Sequence, residues 1–549
     1  MRSVGRIPLF FFLIAGALLI PAVRATAQTT ATATTNQAST FRIAGVVVSK
    51  TDGHPLTGAR VALASTKARQ QSMSVTTSDD GKFEFTGIPA GKYSLSGAKR
   101  GFIPAGYDQH DQYSTAIVTG AGIETDNLVL KLDPQALLSG RVLDEASDPV
   151  RDATITLYRD NHFEGVHQIQ TFRGAQTNDL GEFEIPDLVP GTYFLSASSQ
   201  PWYAVHPPYE GHVPSDFDRS LDVAYPLTYY GDATDPDSAT PISVHGGEHL
   251  QAEIHLNPVP SLHILVHVPE GNNQQAAFPQ FEQPAFDGTV PLQRFENRMT
   301  KPGTWEISGI PAGKYDVRLV GQGATSQMNG VELDSATQEL DTSTAQPMCS
   351  LKVSVSFEGA PPGGRYFLSL RGKSARITPG RPLDSRGQAE FENLAPGNYE
   401  VFVFGTGGRF SVGRMQADGA TVTGHTVSVS AGASASLEIS AVRGSAEIQG
   451  IVKRSGKPLA GAMVVLVPHD PENNRDMFRR DQSDLDGTFV LHNVIPGSYT
   501  AIAIQDGWDL DWGQPQLIAG YAKHGVAIQV SNKVAQNLDL SAPLEAQQK

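Results

Sequence analysis

The sequence predicts an all-β chain, a tandem array of five small antiparallel β-sandwiches of Greek-key type. Three observations carry that expectation. A glycine–glycine–tyrosine signature recurs five times with unvarying spacing, the second glycine ten positions after the first and the tyrosine two further on. Large apolar and polar residues alternate with period two around it. Outside the N-terminal leader no stretch shows helical periodicity.

The leader spans 1–27. Arg2 and Arg6 precede an apolar run from Ile7 to Ile20, and Ala25-Thr26-Ala27 follows it. That is the layout of an export signal with Gln28 as the mature N-terminus. The run is short for a membrane span, and nothing after it is apolar enough to cross a bilayer. Residues 28–40, rich in Thr, Ala, Gln and Ser, read as a flexible spacer.

The five signatures are Gly81, Gly91, Tyr93; Gly181, Gly191, Tyr193; Gly303, Gly313, Tyr315; Gly387, Gly397, Tyr399; and Gly487, Gly497, Tyr499. The first glycine supplies a positive-φ turn that launches a strand such as Phe83-Glu84-Phe85. A Pro/Gly pair is expected to close a tight turn, and the tyrosine lands early on the returning strand. There its ring can pack while the hydroxyl reaches a backbone carbonyl. The fourth copy is eroded, with Ala389 in the aromatic slot.

Ahead of the signature, three copies carry a strand, a Pro/Gly turn and a second strand. These are Gly45-Val46-Val47 with Gly58-Ala59, Gly140-Arg141-Val142 with Asp152-Ala153, and Gly450-Ile451-Val452 with Gly461-Ala462. A closing pair follows the tyrosine strand, as in Ile117-Val118 and Leu128-Val129-Leu130. The expected boundaries are 41–133, 134–258 with a long aromatic insertion, 259–347 and 348–443 as divergent units, 444–543, and a tail at 544–549. Junctions as short as Leu132-Asp133-Pro134-Gln135 predict stacked neighbours rather than tethered beads.

The pattern G-x-V, P-(L/V)-x-G-A, D-G-x-F-x-(F/I)-x-x-(I/L)-P-x-G-x-Y resembles the carboxypeptidase regulatory-like family, a transthyretin-like sandwich. The first, second and fifth units match closely, and the third and fourth lack the G-A element. The resemblance implies non-catalytic modules in an exported protein, and the related carbohydrate-binding-like sandwiches add glycan recognition as an alternative. Related surface sandwiches also form a Lys–Asn isopeptide bond. Lys453 and Asn537 are the fifth unit's candidates, but Thr500 to Ile504 offers no acidic residue, so no cross-link is expected.

Composition narrows the function classes. Cys349 is the sole cysteine, so no intramolecular disulfide can form, and a buried apolar role is expected for it. A net charge of −15 without basic clusters argues against nucleic acid and anionic lipid. His245 and Glu248 have the H-x-x-E spacing of a zinc pair but fall in a hairpin turn, so no metal is assigned. His263 and His267 share one strand face and read as surface or edge packing. The G-x-x-x-G-K runs at Gly87 and Gly309 end in tyrosine inside a hairpin and are not phosphate loops. No G-x-S-x-G occurs, and no nucleophile or acid/base cluster is evident. No catalytic residue and no cofactor is expected.

The segment after each tyrosine strand carries the candidate binding residues. In the first unit it holds Tyr107, His110, Asp111 and Tyr113. The second contributes Trp202, Tyr203, Tyr209, Tyr229 and Tyr230, and the fifth Trp508, Asp509 and Trp512. Rings beside carboxylates suit a sugar, but long loops of this kind more often fold back to pack against a neighbouring unit. The expectation is therefore an exported envelope scaffold or protein-interaction module, periplasmic or surface, with glycan binding as the alternative and an enzyme third.

Overall fold

The computed structural model describes residues 40–67, 72–120, 122–163, 165–208, 217–268, 277–292, 295–321, 325–358, 364–372, 378, 380–406, 408–531 and 537–549. The expected export signal at 1–27, the expected spacer up to 39 and Tyr209 lie outside them. The chain is all-β: five sandwiches in tandem, each with its own hydrophobic core.

The first unit runs β1 (Thr40–Ser49), β2 (Arg60–Ser65), β3 (Ser72–Thr76), β4 (Lys82–Pro89), β5 (Gly91–Ala98), β6 (Ala105–Gly106), β7 (Ile117–Thr119) and β8 (Leu128–Leu132). One sheet is ordered β4-β1-β8 and the other β3-β2-β5-β6, with β7 also on β5. Alternation on β4 buries Phe83 and Phe85, and a one-residue slip at Gly87 returns Ile88 to the same face, against Val61, Leu63 and Leu95 of the opposite sheet. Each such side chain contributes about 1.5–3 kcal/mol on burial. The first strand of every unit makes a parallel pairing. Gly45 of β1 faces Leu128 of β8, and the first strand of each other unit pairs in parallel with a late strand of that unit. That neighbour explains the leading glycine of the G-x-V element. A Cβ on Gly140 would sit 1.9 Å from the Ala252 carbonyl oxygen.

The first signature glycine performs one task in every unit. Gly81 has φ 73°, and its carbonyl accepts from Val47 N at 2.9 Å, locking the turn to the first strand. Val142, Val268, Val355 and Val452 donate likewise to Gly181, Gly303, Gly387 and Gly487. The tight turn expected at the second glycine is built differently. The left-handed residue stands six positions after the first glycine, at Gly87, Asp187, Gly309, Asn393 and Asn493. The register slips there against the first strand, marking a β-bulge in each unit. The second glycine instead opens the returning strand, with the tyrosine ring in ordinary contact range, 3.6 Å from a Cβ built on Gly91. All five tyrosine hydroxyls donate to the carbonyl four residues back, from Tyr93 to Pro89 at 3.0 Å through Tyr499 to Ile495 at 2.9 Å.

Two expectations need correction. An α-helix, α1 (Pro515–Ala522), follows the fifth tyrosine strand and buries Ile518 beside Met463, Ile502 and Trp512. Two turns are too short to display helical periodicity, and Pro515 at its first turn is the legible trace. The expected tail at 544–549 is part of the fifth sandwich. Leu544 is buried opposite Val452, and Gln547 pairs with Ile504.

The units interlock. Met348 N donates to Thr325 O between the third and fourth, and Val412 N to Asp476 Oδ2 between the fourth and fifth. The first and fifth units, nearly four hundred residues apart in sequence, are also in contact. Leu485 N donates to Ala116 O, Ala116 N to Asp484 Oδ1, and Gln482 Nε2 to Thr115 Oγ1 at 2.7 Å.

Candidate functional site

The loop after the fifth tyrosine strand builds the contact of the fifth unit with the first and second. Trp508 stacks on His110 with ring centroids 4.9 Å apart and planes within 7°, and its indole donates to Gly461 O at 3.1 Å. The Arg480 guanidinium lies 4.3 Å from the Trp512 ring and 3.1 Å from Asp111 Oδ2, with Tyr113 at 5.2 Å. Trp512 is buried against Phe478 and receives the hairpin tip of the second unit, where Gly513 N donates to Gly165 O at 2.8 Å. Gly165, at φ 71°, admits this approach because a Cβ would fall 2.4 Å from the Trp512 ring. Asp509 pairs with Lys549, whose hydrogen bond holds its carboxyl below the ordinary range. Between the three units lies a cleft of about 1160 Å³, lined by Tyr113, Arg159, Phe172 and Trp508 among others.

Two partly buried acids of the fifth unit border this contact. Burial pushes the Asp481 carboxyl up to about 6 against the hydrogen bond from Val490 N. Asp484 is also raised by burial, although Lys92 of the first unit stands 2.5 Å away. Desolvation outweighs the ion pair there, as expected where two charges leave water together.

The second unit's insertion divides its rings. Tyr229 is fully buried with Tyr158 and with Phe286 of the third unit, at centroid distances of 6.3 and 5.4 Å. Burial drives the Tyr229 phenol strongly upward and Tyr158 up to about 12. Tyr230 is half-buried on the second core, its amide held by Leu195 O. Tyr203 and Tyr225 both donate to Glu145, the latter at 2.9 Å. Burial opposes ionisation of Glu145, yet those bonds hold its carboxyl below the ordinary range. Burial and Glu145 together push Tyr203 up to about 12. Trp202 is 87 % exposed.

The described candidates of the second and fifth units therefore do not converge. Trp508, Asp509 and Trp512 meet at the three-unit cleft, Tyr229 and Tyr230 lie inward, and Trp202 and Tyr203 occupy a separate loop. Sequence reasoning missed two groups. Asp222 bridges two buried histidines, His206 Nδ1 at 2.9 Å and His263 Nε2 at 2.7 Å, tying the second unit to the third. So His263 is not surface packing, whereas His267 pairs with Glu339 at the surface. The second group is a buried hydroxyl four positions before the turn glycine. Thr77, Thr177 and Ser483 each accept from the alanine of the G-A element and donate to a carbonyl three residues before that alanine. The third and fourth units have Met299 and Leu383 at that position, in keeping with their missing G-A element.

The remaining motifs resolve locally. His245 and Glu248 bond to each other within their turn at 3.1 Å. Among the described residues no cluster of three or more His, Cys, Asp or Glu could hold a metal ion. Cys349 is buried, donates to Leu394 O at 3.2 Å, and has its thiol pushed up by that burial. Lys453 pairs with Glu545 and Asn537 with Glu447, so Asn537 sits on a neighbouring strand opposite a position six residues before Lys453.

The family model of the carboxypeptidase regulatory-like domain matches residues 42–119 and 138–208. No curated protein sequence matches the chain. Among solved structures, the Bacillus anthracis TIE protein is 11 % identical over 73 % of this chain and 74 % of that one, at a TM-score of 0.18. A minor pilin of Streptococcus agalactiae is 17 % identical over 40 % and 96 %, at 0.21. Two B repeat units of the Staphylococcus aureus collagen-binding protein are 11 % identical over 74 % and 100 %, at 0.13.

Proposed function

We propose that this chain, whose first two units are carboxypeptidase regulatory-like domains, is an exported, non-catalytic scaffold or protein-interaction module of the cell envelope. The observation that carries the reading is the use of the fifth-unit loop. Trp508, Trp512 and Arg480 are spent on the first and second units, which is how a chain fixes the relative positions of its modules. Fixed modules suit presentation of surfaces to partners, whereas a reaction centre needs convergent nucleophiles or acid/base groups. The charged n-region and apolar run of 1–27 support export, and domain edges near Asp133, Pro258, Met348 and Gly444 belong to the same proposal.

The test has two arms. In-cell cross-linking followed by mass spectrometry should recover the chain starting at Gln28 and joined to other envelope proteins. Purified chain offered peptide and glycoside substrates should release no product. A chain that retains residues 1–27 contradicts export, and turnover that survives repurification contradicts the non-catalytic reading.

A second reading, glycan recognition by the loop aromatics, has one observation in its favour: Trp202 stands clear of the protein.

A further inference from the structure

Trp202 is held out by its neighbours and not left loose. Pro201 before it is buried, and Tyr203 after it is anchored to Glu145, which Tyr225 also grips. The Tyr203 ring meets the indole edge-on, at 5.8 Å and 87°. The other three tryptophans are at least half-buried: Trp305 and Trp508 donate to carbonyls, and Trp512 packs under Arg480. Trp202 alone forgoes burial on a loop whose flanks are fixed.

Beside it lies a cleft of about 520 Å³ between the second and third units. Arg151, Asp152, Ser199, Gln200 and Glu296 line it, with Tyr225. A flat apolar face next to carboxylate, amide, hydroxyl and guanidinium groups matches one chemistry well. A pyranose presents C–H bonds on one face and hydroxyls around its rim, which both donate and accept. We propose that the Trp202 loop and this cleft form a saccharide-binding site, with a pyranose stacked on the indole and its hydroxyls bound by Asp152, Gln200 and Ser199. The inference rests on the glycan reading and assigns it to one loop.

The test uses the intact 28–549 chain with three probes, cellohexaose, chitohexaose and xylohexaose, followed by calorimetry and intrinsic fluorescence. The expected result is binding of at least one probe that weakens by roughly tenfold or more in Trp202→Ala and is partly kept in Trp202→Phe. The melting temperature of Trp202→Ala should match that of the parent chain, because the indole makes so few contacts. Failure of all three probes to bind overturns both the site and the glycan reading. Binding lost in Trp508→Ala but kept in Trp202→Ala overturns this site and leaves the glycan reading at another loop. Concentration-dependent self-association that disappears in Trp202→Ala, without saccharide binding, identifies a second copy of the chain as the occupant and also overturns the proposal.

Discussion

Tyr193 shows how much one side chain fixes in this fold. Its ring lies on the core, and its hydroxyl donates to Val189 O at 2.9 Å across the bulged hairpin. Tyr193→Phe keeps the ring and leaves that carbonyl short of a donor, so denaturant unfolding should show a loss of about 1 kcal/mol. An unchanged midpoint would mean water replaces the hydroxyl. Asp481 gives the opposite sign. Its folded value of about 6 lies above the ordinary aspartate value, so the folded state binds the proton more tightly. Stability contributed by the protonated form is full at low pH and is lost as pH rises from about 4 through 6. Asp481→Asn should therefore gain about 1–3 kcal/mol at pH 8 and almost nothing at pH 4. Equal effects at both pH values would remove burial as the cause.

At the scale of elements, the repeated hairpin and the hydroxyl pin define a unit. Thr177→Val removes the acceptor of Ala153 N and the donor to Val150 O while conserving volume. Two buried backbone groups then lack partners, and a loss of about 2–4 kcal/mol is expected in thermal unfolding. A loss under about 0.5 kcal/mol would assign the pin no structural weight. The strands were legible because period-two alternation is a local signal, clear in Phe83 and Phe85 and in their counterparts. The bulge was not, because its left-handed site is filled by Gly, Asp or Asn in different units and carries no fixed letter. The hydroxyl pin escaped for a similar reason, since Thr77, Thr177 and Ser483 look like ordinary strand-end polar residues. The helix α1 escaped because it is brief.

At the scale of the whole molecule, the sequence located the post-tyrosine loops but not their uses. Trp508 and Trp512 leave both a sugar platform and the favoured packing role open, since their partners His110, Arg480 and Gly165 come from three different parts of the chain. Contacts of that kind have no local signature. Once the units are placed, the fifth-unit loop is a joint between modules, and among the described tryptophans Trp202 alone presents an exposed ring. The fifth unit is docked on the first within one chain. Zero-length carbodiimide coupling tests this most directly, because it joins only carboxylates and amines already in contact. Lys92 and Asp484 are 2.5 Å apart, and Lys50 and Asp133, at 3.1 Å, provide an internal reference near the first junction. Peptide mapping of the coupled monomer should recover both links. Recovery of Lys50–Asp133 alone, or of Lys92–Asp484 only in coupled dimers, would contradict the docked array.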